Sequence, residues 1–244
     1  MGAGVAIGGH FIPSALVLGQ WSSMETLGSL VAWRVPGADS GRVAVTFDDG
    51  PDPLWTPRVL DRLDELGWKE RGWSATFFVI GSRISPGSPE ADLVEEIQAR
   101  GHEVGLHGFR HERHFFHLPP WVREDLSRGC EVLEDLGCTP RFFRPPYGIV
   151  SAATLLEAKR HQMSVVLWSA WGREWTDKSP ASVANRLSRR LSPGAIVLLH
   201  DSEATAPPGT VPVVLETLPL LDEMLRERGL LAGPLAPRVL DRQG

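Results

Sequence analysis

Two carboxylates, three histidines, an arginine and a glutamate stand out from an otherwise apolar pattern. Asp48 and Asp49 are adjacent in the run Thr46-Phe47-Asp48-Asp49-Gly50-Pro51, and His107 and His111 are four residues apart. Further on come Arg144-Pro145-Pro146-Tyr147-Gly148, then Glu174 between Trp171 and Trp175, then His200-Asp201. One carboxylate with two imidazoles is a common three-ligand set for Zn²⁺, with a fourth position left for water. Asp49, His107 and His111 supply that set, and i, i+4 histidines converge if their segment makes a helical turn. The expected cofactor is therefore Zn²⁺, or another divalent metal such as Co²⁺. Water on such an ion has a pKa of ~7 and becomes a usable nucleophile.

A hydrolase also needs a base for the water and an acid for the leaving group. Asp48, beside the ligand Asp49, is the candidate base, and His200 the candidate acid. Arg144 would orient Asp48 through a charge-assisted pair. Glu174 would aim His200 and raise its pKa. The Tyr147 backbone N–H follows two prolines that have no donor, and is the candidate oxyanion contact. Pro146, Tyr147, Trp171 and Trp175 are the candidate substrate contacts. Each cluster alone has a plainer reading: Asp-Asp-Gly-Pro is a good turn, and the tryptophans could form a packed corner. His102, His114, His117 and His161 are read as surface or packing residues, and the loop Ala204–Gly209 as either a cleft rim or a plain loop.

What joins the clusters is where they fall. Apolar, β-branched runs at Val43–Phe47, Ala75–Ile80, His102–Leu106, Arg141–Phe143, Ser164–Trp168 and Ala195–Leu199 read as strands. Between and after them, Pro57–Leu66, Pro89–Arg100, Trp121–Leu136, Ala152–Arg160, Pro180–Leu191 and Val213–Glu227 have helical spacing. Alternating strands and helices imply a parallel sheet with right-handed crossovers. The expected fold is α/β, a distorted and incomplete (β/α) barrel, with a doubly wound open sheet as the alternative. No G-x-G-x-x-G follows the first strand, so a dinucleotide-binding sheet lacks support. Each polar cluster lies just past the C-terminal end of an expected strand, and in a parallel barrel those ends share the face that carries the chemistry.

Composition bounds the class. The chain has 244 residues, 42% hydrophobic and 23% charged, which is a globular composition. A net charge of -5 with no basic run disfavours a nucleic-acid partner. Cys130 and Cys138 sit at the two ends of one helical segment, roughly 12 Å apart as helix, so both are expected to be free thiols. The first twenty-four residues carry no Asp, Glu, Lys or Arg, and Ala3–Gly19 is apolar but broken by glycines and Pro13. Residues 1–40 are therefore read as an apolar extension, either membrane-proximal, a degenerate signal or a cover for the barrel, and 41–244 as the barrel domain. The extension gives a cell-envelope or membrane-associated location some weight over a cytoplasmic one.

Thr46-Phe47-Asp48-Asp49-Gly50-Pro51, His107-Gly108-Phe109-Arg110-His111, Arg144-Pro145-Pro146-Tyr147-Gly148 and Leu198-Leu199-His200 resemble, in order, the motifs of the NodB-like polysaccharide deacetylases of carbohydrate esterase family four. The resemblance runs from about Val43 to Arg228. It implies a distorted (β/α) barrel, a divalent metal on Asp49, His107 and His111, Asp48 as base, His200 as acid, and removal of acetyl groups from N-acetylhexosamine-containing carbohydrates. Two departures stand out. Gly108 replaces the usual Ser or Thr after the first ligand histidine. Trp171 and Glu174 stand where aspartates usually precede the tryptophan of the fourth motif, which leaves the His200 partner and the cleft wall open. The same apparatus would serve another deacylation, of a formamido or O-acetyl sugar, lipid-linked or free. A catalytically silent sugar-binding barrel is the alternative from another class.

Overall fold

The computed structural model describes residues 31–35 and 41–235. The apolar run Ala3–Gly19 and residues 36–40 lie outside the described residues. In chain order the strands are β1 (Val31–Ala32), β2 (Arg42–Asp48), β3 (Ala75–Val79), β4 (Glu103–Leu106), β5 (Phe142–Phe143), β6 (Ser164–Val166), β7 (Ala170–Trp171), β8 (Ile196–His200) and β9 (Leu231–Ala232). The helices are α1 (Thr56–Glu65), α2 (Pro89–Ala99), α3 (Pro119–Asp135), α4 (Ala152–Arg160), α5 (Pro180–Ser188) and α6 (Thr210–Glu227). α1, α2, α3 and α5 carry proline in their first turn, where its missing N–H costs nothing. α4 opens on a capping box between Ser151 and Thr154.

All strand pairs among the described residues are parallel, in the order β1-β6-β5-β4-β3-β2-β8-β7, with β9 on β2. The strand expected over Ser164–Trp168 stops at Val166, and Ala170–Trp171, expected to lie past its end, form β7. β6 pairs with β5 and β7 pairs with β8, so this one segment sits at both sides of the sheet and curls it into a barrel. The splay it leaves is filled by β1, which pairs with β6 and runs on to an Arg34–Ala195 bridge and a Val35 N–H bond to Gly194 at 2.8 Å. Val31–Val35, read from sequence as part of the extension, thus belong to the sheet.

Alternation along the strands sorts the core into two layers. Val43, Val45, Phe47, Phe77, Phe143, Val165, Val197 and Leu199 pack outward against the helices. Ala44, Phe78, Phe142, Val166 and Ile196 meet inside the barrel with Val35 and Leu235 as an apolar plug. The next inward positions on β2, Thr46 and Asp48, are polar and buried. The interior therefore changes from hydrocarbon to charge along the strands, and the polar end is the mouth.

Candidate active site

β2 ends on Asp48 and β8 on His200, in direct register with each other. Arg144 follows β5 and is fully buried. Its Nη1 donates to Asp48 Oδ1 at 2.6 Å and to Thr46 Oγ1 at 2.7 Å, and its Nη2 donates to the Leu167 carbonyl at 3.1 Å, in the break between β6 and β7. A buried guanidinium is held only where several acceptors converge. This one fixes one oxygen of Asp48, while the residue still lines the cavity.

Asp49 would point away from Asp48 if the strand continued. A left-handed backbone (φ 79°), uncommon for a non-glycine residue, brings its carboxylate to the same site. Asp49 Oδ1 lies 3.4 Å from His107 Nε2 and 3.3 Å from His111 Nε2. His107 Nδ1 donates to the Arg144 carbonyl at 2.7 Å, which leaves Nε2 as the nitrogen that faces Asp49. The histidines do not converge through a helical turn. Residues 107–111 form an irregular bend with Gly108 at φ +86°. Thr205, in the loop after β8, donates its hydroxyl to Asp49 Oδ2.

On the far side, His200 Nδ1 and Glu174 Oε1 are 2.8 Å apart, so the longer glutamate reaches hydrogen-bond distance. Trp175 meets the His200 ring edge-on at 5.4 Å. Tyr147 sits at φ 60°, its ring 4.6 Å from that of His111. These residues enclose a cavity of about 290 Å³, lined also by Trp168, Leu198, Thr205, Ala206 and Pro207. That is the small end of the ligand-site range, roughly 300–1,000 Å³.

Two expected substrate contacts lie elsewhere. Trp171 does not line this cavity. It is a β7 residue paired with Leu198, its indole covered by the Arg190 guanidinium at 4.0 Å. Pro146 is buried in the turn beside Gly108 and does not line the cavity. Trp168 lines the cavity in place of Trp171, and the loop Ala204–Gly209, read from sequence as either cleft rim or plain loop, contributes Thr205, Ala206 and Pro207 to its wall. His102 and His114 are buried outside the cavity, and Cys130 and Cys138 are free and buried.

The electrostatics favour a cation. Burial alone would raise the Asp49 pKa, but His107, whose Nε2 lies 3.4 Å away, and the charges of the other nearby histidines push it well below the usual range. Burial would lower His107, yet the charges of Asp48 and Asp49 and the bond to the Arg144 carbonyl raise it. The proton that His107 gains must sit on Nε2, facing Asp49, where a metal would bind. His111 is held down to about 4, chiefly by burial and then by His107, so its nitrogen lone pair is free at neutral pH. Asp49 Oδ1 is buried without a hydrogen-bond partner, which is costly unless something positive meets it. Ligand atoms of Asp49, His107 and His111 all lie within 4.8 Å of one another. A carboxylate with two Nε2 atoms fits a zinc-type ion. Because protons compete for the same nitrogen, zinc affinity measured by chelator competition is expected to fall as pH drops below neutrality.

A parallel barrel whose C-terminal mouth gathers an acid–imidazole cluster has the layout of a barrel enzyme. Residues 37–166 match the polysaccharide deacetylase family model, and the chain belongs to that family. That membership places it in a family of hydrolases. A peptidoglycan-N-acetylglucosamine deacetylase of Bacillus cereus is 36% identical over 174 residues, 70% of this chain and 77% of that one. A chitooligosaccharide deacetylase of a Bradyrhizobium species is 34% identical over 169 residues, 68% of this chain and 72% of that one. The crystal structure of a peptidoglycan N-acetylglucosamine deacetylase in complex with 4-naphthalen-1-yl-N-oxidanyl-benzamide superposes with a TM-score of 0.76 at 27% identity, covering 88% of this chain and 95% of that one. A family 4 carbohydrate esterase from Streptomyces lividans, in complex with acetate, gives 0.69 at 27% identity, covering 81% and 94%.

Proposed function

We propose that this chain removes the N-acetyl group from N-acetylhexosamine units of a carbohydrate such as peptidoglycan or a chitooligosaccharide, working at the cell envelope with a divalent metal, Zn²⁺ or Co²⁺, on Asp49, His107 and His111. The observation that carries the reading is the unpartnered Asp49 Oδ1 facing two Nε2 atoms, with Asp48 on one side and His200 on the other. A divalent ion held by Asp49, His107 and His111 would supply Lewis acidity, making water a usable nucleophile near neutral pH and drawing charge from the acyl oxygen. Asp48, its Oδ1 tied to Arg144, takes the proton from the attacking water. The Tyr147 N–H, in a turn stiffened by Pro145 and Pro146, meets the developing oxyanion. Trp175, Trp168 and Leu198 wall the cavity with apolar surface against which a sugar face packs.

His200 protonates the leaving amine. Burial alone would lower its pKa, but the Glu174 hydrogen bond and charge, with Asp49 and Asp48 beyond, push it up to about 9, so it carries the proton at neutral pH. An acid is lost as pH rises through its pKa. Glu174→Gln is therefore expected to move the alkaline limb of kcat from near 9 toward the ordinary histidine value of about 6.5. An unmoved limb would show that Glu174 does not set the acid.

The function is tested by following acetate release from N-acetylglucosamine oligomers and from peptidoglycan, with zinc supplied and with a chelator. Zinc-dependent acetate release is expected. Formate from formamido sugars, or acetate only from O-acetyl sugars, would replace the substrate assignment. No release from any of these by zinc-loaded protein would overturn the enzymatic reading in favour of a silent sugar-binding barrel. Among the described residues no helix is long and apolar enough to cross a membrane.

A further inference from the structure

The bend that carries His111 has no regular structure, yet its backbone is tied on both sides. The carbonyls of Gly108 and Phe109 accept from Gly81 and Ser82, in the turn after β3, at 2.9 and 2.8 Å. The N–H groups of Phe109 and Arg110 donate to the two oxygens of a single carboxylate, Asp125 of α3, at 3.0 and 2.8 Å. Asp125 is fully buried. His114 Nε2 lies 3.3 Å from its Oδ2, and the Arg110 guanidinium 3.6 Å from its Oδ1. His114 itself is locked by Thr154 and stacked on Phe143.

Gly108 makes this clamp possible. A Cβ at position 108 would lie 2.9 Å from the Arg110 carbonyl oxygen and 3.0 Å from Asp125 Oδ2, and the backbone there is left-handed. Only glycine accepts both conditions without strain. The hydroxyl missing at 108 is thus matched by a carboxylate reaching in from another element, into the space that a side chain would fill.

We propose that Asp125 is the positioning residue of the metal site. It fixes the bend between His107 and His111, and so sets the distance between the two imidazoles. The proposal rests on the metal reading given above. It acts through the backbone rather than through contact with metal or substrate, so its signature is metal affinity rather than fold. Losing an outer partner of a metal site typically weakens metal binding about 10- to 100-fold.

The experiment measures the zinc dissociation constant of the full chain by chelator competition, beside its metal-free thermal melting, for wild type, Asp125→Ala and Asp125→Asn. Asp125→Asn nearly preserves shape and keeps one acceptor, so it guards against a simple failure of Asp125→Ala to fold. The expected result is zinc affinity reduced about tenfold in Asp125→Asn and about a hundredfold in Asp125→Ala. A folded variant that melts lower but binds zinc as tightly as wild type would make Asp125 a packing residue and overturn the proposal, leaving the metal reading intact. Wild type that binds no zinc would overturn the metal reading itself, and this proposal with it.

Discussion

Asp48→Asn is expected to lower turnover of the best N-acetylated substrate by about 10²-fold or more, the size of a general-base contribution. The amide is nearly isosteric with the carboxylate. Its oxygen can still accept from Arg144 Nη1, so the buried guanidinium keeps a partner and the barrel mouth keeps its shape. What is lost is the ability to take a proton. Asp49, His107 and His111 are untouched, and zinc affinity is expected to change little. Steady-state kinetics with parallel zinc titration separates the two quantities. Turnover equal to wild type at full zinc occupancy would remove Asp48 from the role of base and pass it to another cavity residue.

His111→Ala produces the other large effect. Two of the three ligand atoms remain, and Asp49 Oδ1 loses one of the two nitrogens that face it. Zinc is expected to bind far more weakly, and activity at limiting zinc to fall by several kcal/mol of transition-state stabilisation, roughly 10³-fold or more. Among the described residues His111 makes no hydrogen bond that supports the barrel, and it is less deeply buried than His107, which is tied to the Arg144 carbonyl. The substitution should therefore spare the fold. Metal analysis of the purified variant, with melting of the metal-free form as control, is the check. Wild-type zinc content in a folded His111→Ala protein would mean that the ion is held elsewhere.

Much of the site was legible in the chain because its parts are punctuation in an apolar pattern. Asp48-Asp49, His107, Arg144 and His200 each interrupt or follow a β-branched run, and a parallel barrel brings all such ends to one mouth. The strands and helices expected from periodicity appear within a few residues of their observed limits. The short strands were less visible. β1, β7 and β9 have two residues each, too few for a period to register. The strand expected to reach Trp168 stops at Val166, and the loop expected past it contains β7, because the break lets one segment pair with β5 and then with β8.

By itself, then, the order of residues determined which groups are available for chemistry and which end of the barrel they occupy. Tertiary structure decided how those groups meet. The left-handed backbone at Asp49 turns a neighbouring carboxylate to the side that strand alternation forbids, and the clamp between Asp125 and the bend at Gly108 replaces the helical turn that i, i+4 spacing suggests. Trp168 lines the cavity while Trp171, three residues on, lies against Arg190. The physical reason is common to all three. Local spacing sets the direction of a side chain only while the backbone stays regular, and at the mouth of this barrel the backbone leaves the strand. From there its course is set by partners distant in the chain.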